Sequence, residues 1–129
     1  MADYLPRHLP GKAITLTASA AITGGRLVVV SGSNTVATAG ADSTSVVGVA
    51  ANDVAASGDK FLCFPLRSGT VHKLVASGAI TAGARVVSDT GGKVKSATAA
   101  TAAAAATDLG VALNTVTTDL DIVDVLTGG

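Results

Sequence analysis

The feature that most constrains this chain is that it repeats itself. Residues Ala18-Ser19-Ala20-Ala21-Ile22-Thr23-Gly24-Gly25-Arg26-Leu27-Val28-Val29 recur as Ala76-Ser77-Gly78-Ala79-Ile80-Thr81-Ala82-Gly83-Ala84-Arg85-Val86-Val87, about two-thirds identical at constant offset. The match extends upstream, with Gly11 opposite Gly69 and Leu16 opposite Leu74, and downstream, with Val36 opposite Val94. After a few extra residues in the second copy, Val47-Gly48-Val49-Ala50-Ala51-Asn52 meets Leu109-Gly110-Val111-Ala112-Leu113-Asn114. The copies run from 11 to 67 and from 69 to 126, and each reads as the same succession of strands.

Within a copy, a strand before the Ala-Ser pair leads through a Gly-bearing turn into a Val-rich strand, Leu27 to Val30 or Arg85 to Ser88. Ser31-Gly32-Ser33-Asn34 and Asp89-Thr90-Gly91-Gly92 tolerate positive φ, which predicts a hairpin into Thr35 to Thr38 or Lys93 to Ser96. The Gly-Val-Ala segment and a last strand close each copy. About five short strands per copy point to an all-β fold, a small β-barrel or β-sandwich built from two pseudo-repeats.

Composition agrees with that reading. All nine acidic residues are Asp, and Glu, Gln and Trp are absent, whereas Val and Thr, which suit a pleated surface, are abundant. Apolar residues reach 48%, but roughly a fifth of the chain is alanine and aromatics are only 2%, so the core is thin. With 129 residues we expect one β domain over 11–129 that gains stability by burying surface against copies of itself or a partner.

Two segments fall outside the repeat. Residues 1–10 carry Pro6 and Pro10 without strand alternation and read as an extended N-terminal arm. Ala97 to Ala106 is nearly pure alanine, short enough for a loop to be favoured over an isolated helix.

The charge pattern limits the partners. Net charge is zero and the nine Lys and Arg are scattered, while Tyr4, Phe61 and Phe64 are the only aromatics, so no phosphate-binding stripe or stacking platform is expected. No apolar run is long enough for a membrane helix, and the N-terminus lacks a signal-peptide core, so synthesis and retention in the cytosol are expected. The single Cys63 fits a reducing compartment.

Candidate chemistry is sparse. Cys63 lies in Phe61-Leu62-Cys63-Phe64-Pro65-Leu66, apolar on both strand faces, and reads as structural. We expect Phe61, Leu62, Cys63, Phe64 and Leu66 to be core or subunit interface, covered by the two halves of the fold or, slightly preferred, by a neighbouring subunit. His8 and His72 have no ligand-type residues at a metal spacing; His8 falls on the arm and His72 is expected at a strand surface. Asp119, Asp121 and Asp124 form the one carboxylate cluster. On a strand the first two face away from the third, and the slip from Leu120 and Ile122 to Val123 and Val125 suggests a bulge or a charge-protected edge. The spacing is not a calcium loop. No nucleophile elbow, Walker loop, dinucleotide fingerprint or acid-base pair occurs, so neither catalysis nor a cofactor or metal is expected.

Met1-Ala2-Asp3-Tyr4-Leu5-Pro6 followed by Pro10-Gly11-Lys12-Ala13-Ile14-Thr15-Leu16-Thr17-Ala18 resembles the opening of phage and prophage capsid cement (decoration) proteins. Ala-Ile-Thr-Gly-Gly-Arg-Leu-Val-Val, Val-Gly-Val-Ala, Ser-Gly-Asp-Lys, Ala-Ile-Thr-Ala-Gly-Ala-Arg-Val-Val and Gly-Gly-Lys-Val follow in that family's order. The resemblance covers nearly the whole chain, though the long alanine stretch departs from it. It implies a non-enzymatic structural protein on the outer surface of an assembled head shell, made in the bacterial host cytoplasm. It also implies the major capsid protein as partner and clusters at local three-fold positions, hence a homotrimer. Tyr4, Leu5, Pro6, Arg7, His8 and Leu9 are the expected capsid contact: apolar area, a guanidinium fork and prolines that limit the entropy lost on docking. A frayed tail is the alternative for that arm, and a tail or fibre-base binding module is the alternative for the protein.

Overall fold

The computed structural model describes residues 13–66, 70–98 and 107–127, and among them ten strands, each half of the chain contributing five. The first five are β1 (Ile14–Ala18), β2 (Leu27–Gly32), β3 (Thr35–Thr38), β4 (Val46–Ala50) and β5 (Lys60–Pro65). They close into a barrel in the order β1-β3-β2-β4-β5, with β1 parallel to β3 and the other neighbours antiparallel. The second five are β6 (Val71–Val75), β7 (Arg85–Asp89), β8 (Lys93–Ser96), β9 (Gly110–Ala112) and β10 (Ile122–Thr127). Their order, β6-β10-β9-β7-β8, is the same ring, with the β6 to β8 joint reduced to the parallel bridge Ala76↔Val94. That bridge occupies the repeat position of the Ala18↔Val36 pair in the first barrel.

The duplication therefore holds to the level of single hydrogen bonds. The bridge Ile22↔Val54 recurs as Ile80↔Val116, and Gly25 N donating to Ala50 O recurs as Gly83 N to Ala112 O, both at 2.8 Å. The recurrent asparagine has a local reason as well. Asn52 Oδ1 accepts from Leu62 N at 3.4 Å and Asn114 Oδ1 from Asp124 N at 2.7 Å, satisfying a strand donor where the ladder frays. Gly25 (φ +81°) and Gly83 (φ +89°) supply the left-handed turn residue of each copy.

Each barrel is filled by the same set of positions. Ala18, Ile22, Val28, Val36, Ala50, Val54, Phe61 and Cys63 form the first interior. Ala76, Ile80, Val86, Val94, Ala112, Val116, Val123 and Val125 occupy the corresponding places in the second. Period-2 alternation accounts for this: β5 buries Phe61 and Cys63 while Leu62 and Phe64 point outward.

The halves then pack asymmetrically. Leu27, Ala39, Val49 and Leu66, on or beside the outer face of the first barrel, join the core of the second. Polar contacts stitch the same joint. Ser88 Oγ donates to Gly40 O at 2.8 Å and accepts from Ser43 N at 2.9 Å, while Gly92 N donates to Ala39 O at 2.9 Å. Arg26 Nη1 donates to Gly91 O at 2.9 Å, and Lys95 pairs with Asp42 at 3.3 Å.

Three sequence expectations change. His72 is buried, not at a strand surface, with its Nε2 3.2 Å from Pro65 O, because β6 starts inside the joint. β10 begins at Ile122, so Asp119, Leu120 and Asp121 belong to the preceding turn, and Val123, Val125 and Thr127 are buried in phase without a bulge. β10 also lies between β6 and β9 and is no edge, so Asp124 does not guard one. The arm Tyr4 to Leu9, with His8, and residues 99–106 of the alanine stretch lie outside the described residues.

Candidate functional site

The residues singled out in β5 divide cleanly. Phe61 and Cys63 line the first barrel and Leu66 enters the shared core, whereas Leu62 and Phe64 are 48% and 45% exposed. The two halves of the fold thus cover only one side of this run. Burial pushes the Cys63 thiol up to about 11, against a smaller lowering by a hydrogen bond with the Val49 backbone, so at neutral pH it is a protonated packing group.

The carboxylates do not converge. Asp119 pairs with Lys93 at 3.5 Å, and Asp124 sits opposite Lys73 across the β10–β6 ladder. The Thr118 hydroxyl and backbone N–H, the latter at 3.2 Å, hold the Asp121 carboxyl below its usual range, the mark of a turn-stabilising carboxylate. Among the described residues no group of three His, Cys, Asp or Glu could hold a metal ion.

What the surface offers instead is apolar area. Val71 and Leu126 lie directly opposite each other on the outer face of β6 and β10, both exposed, beside half-buried Val111 on β9. The signal was present in the alternation of Ile122, Asp124 and Leu126, misread because the strand's phase was set from Leu120. A second feature lies at one end of the first barrel, where β1, β3 and β4 begin and β2 ends. Ile14, Leu16, Val30, Val36 and Val47 line a cavity of about 290 Å³ there, and Val30 at its rim is 51% exposed. No local pattern announced it, because its lining comes from four separate strands. Among the described residues, then, the surface presents two apolar areas and no convergent reactive groups.

A family model described as phage cement protein matches residues 8–126, spanning both barrels. The chain belongs to the phage cement proteins. Its role is accordingly structural and non-enzymatic, at the capsid surface of the virion, in contact with capsid components. No curated protein matches the sequence. Among solved structures, the head fiber gp8.5 N base of bacteriophage phi29 shares the fold with a TM-score of 0.68 at 18% identity. The match covers 91% of this chain and 93% of that one. For this cement protein, then, the double barrel is a known architecture, and what distinguishes the chain is what it places on the outside.

Proposed function

We propose that this cement protein binds the major capsid protein on the outside of an assembled head as a homo-oligomer, a trimer at local three-fold positions, and braces the shell against internal pressure. The observation that carries the reading is the family match across both barrels, joined to exposed apolar side chains such as Leu62, Phe64, Val71 and Leu126. Each junction contact is weak on its own. A subunit anchored at one point presents its next contact at high effective concentration, so modest contacts add up across a junction.

Tyr4, Leu5, Pro6, Arg7, His8 and Leu9 are the proposed capsid-binding arm, and Leu62 and Phe64 the proposed subunit interface, with Phe61, Cys63 and Leu66 supporting it from the core. β1 pairs with β5 in the register Ile14↔Cys63, and Cys63 stands between the exposed Leu62 and Phe64. Synthesis in the cytoplasm of the bacterial host belongs to the same reading.

The test is gradient sedimentation of phage particles with the chain quantified against the major shell protein, followed by deletion of residues 2–9. High copy number on heads, lost on deletion while the circular dichroism spectrum stays unchanged, supports cement and arm together. Unchanged binding after deletion refutes the arm. A second reading, the base of a fibre, is favoured by the fold shared with the phi29 head fiber base, and would show as a few copies per particle.

A further inference from the structure

The internal repeat supplies a control for one turn. Residues 55–59 and 117–121 lead into β5 and β10 at the same place in each copy. Gly58 N donates to Ala18 O and Leu120 N to Ala76 O, both at 2.8 Å. Ala18 N donates to Asp59 O and Ala76 N to Asp121 O, again both at 2.8 Å, while Asp59 N to Ala56 O and Asp121 N to Thr118 O both measure 3.3 Å. The fold therefore imposes a left-handed residue at one position of this turn, with φ +91° at Gly58 and +71° at Leu120. In the first copy a glycine meets that demand without a Cβ penalty; in the second a leucine stands there, 57% exposed.

For stability, leucine is the wrong residue here on two counts. Left-handed backbone crowds its Cβ against the following carbonyl oxygen, and more than half of its surface adds nothing to the core. An exposed leucine in relaxed backbone needs no explanation, but one held in a strained conformation points to a use outside the chain. The turn also holds the side chain on a fixed platform. Thr118 N donates to Asp121 Oδ2 at 3.2 Å, and Asp119 pairs with Lys93 at 3.5 Å, so little order remains to be lost on docking. Ile122, 51% exposed and opposite Val75, follows two residues later and continues the apolar outer face of β10 towards Leu126.

We propose that Leu120, with Ile122 beside it, is a contact between this cement protein and the head shell, entering an apolar socket on the major capsid protein. The proposal rests on the cement reading and deepens it: to the arm it adds a second contact, carried on a folded turn, and two contacts are what effective concentration needs to act on. The shell is the occupant because the family's place is against capsid components. Charge describes the border of the socket. Asp119 is paired with Lys93 and Asp124 sits opposite Lys73, while Asp121 adds one negative charge, which a basic side chain at the socket's edge complements.

Heads assembled without this chain, incubated with labelled full-length protein over a concentration series and sedimented, give an apparent Kd. Leu120→Gly should bind about tenfold more weakly while its melting temperature holds or rises, since one substitution relieves the strain and removes the contact. Leu120→Asn, polar but tolerant of left-handed backbone, should bind as weakly, and Leu120→Met, which stays apolar, should retain binding. A photocrosslinking amino acid at position 120 should join the chain to the major capsid protein on heads. Wild-type affinity in Leu120→Gly or Leu120→Asn, binding by Leu120→Met as weak as that of Leu120→Asn, a clear fall in the melting temperature of Leu120→Gly, or crosslinks only to other copies of this chain would overturn the proposal and leave the cement reading standing. A wild type that never binds heads overturns the cement reading, and this contact with it.

Discussion

Gly48→Ala tests whether the barrel's strand spacing is set by a missing side chain. A Cβ at Gly48 would stand 3.1 Å from the Phe64 carbonyl carbon, closer still to its oxygen, and would strike Cys63 Sγ, which is fully buried. The obstacle is backbone on the adjacent strand, paired in the register Gly48↔Pro65, so no rotamer relieves it. β4 and β5 would have to part by roughly 1 Å against a normal spacing of about 4.8 Å. Overpacking of this kind costs about 1–3 kcal/mol, and the rigidity of the obstacle places this case at the upper end, about 3 kcal/mol. With an m-value of about 2 kcal/mol/M, the urea midpoint should fall by about 1.5 M. At the repeat position, Gly110, a Cβ would stand 2.9 Å from the Leu126 carbonyl carbon and φ is +151°, so Gly110→Ala carries backbone strain as well and should lower the midpoint at least as far. Gly40 supplies the control, since a Cβ there meets nothing within 4 Å; Gly40→Ala should be neutral or stabilising by up to about 1 kcal/mol. A Gly48→Ala midpoint indistinguishable from that of Gly40→Ala would refute the reasoning.

Three further outcomes are expected. Cys63 should resist a thiol reagent at pH 8 until the protein unfolds, so labelling followed with urea should track the unfolding curve and not precede it. Leu120 holds φ +71° at the repeat position of Gly58, which holds +91°, and is 57% exposed. Leu120→Gly should therefore raise the melting temperature slightly, by relief of about 1 kcal/mol of left-handed strain less the glycine entropy cost; a clear fall would show that this side chain packs. Asp89 and Asp121 are held below the ordinary aspartate value of 3.8, the first mainly by the Ser77 hydroxyl and the second mainly by that of Thr118. Their folded values being lowered, the stabilisation is complete above that value and is lost as pH falls through the folded ones. Melting temperature measured against pH should drop below about pH 4, and Asp89→Asn with Asp121→Asn should flatten the drop.

Much of this fold was legible because it was written twice. The repeat in the sequence predicted five strands per copy and both hairpins; the division of β5 into inward Phe61 and Cys63 and outward Leu62 and Phe64 came with the structure, because that run is apolar on both faces. Strands and hairpins are local matters, decided by φ preference at turns and by side chains that suit a pleat. The exposed apolar surfaces were legible only in part. Leu62 and Phe64 stood out as residues needing cover, but the cavity at Val30 did not, since its lining residues come from four separate strands.

What the sequence by itself determined is the unit: its strands and its turns, because each depends on residues a few positions apart. Only the tertiary structure decided how the units close and which outer face is covered. The parallel pairing of β1 with β3 skips a strand, and no local pattern encodes it. Leu27 and Arg85 hold the same repeat position, yet one is core and the other surface, because only the first barrel's face meets a second barrel. His72 and Ser88 are polar and buried for the same reason: docking brings them carbonyl and amide partners from the first barrel, and long-range contact, not alternation, determines where those partners stand.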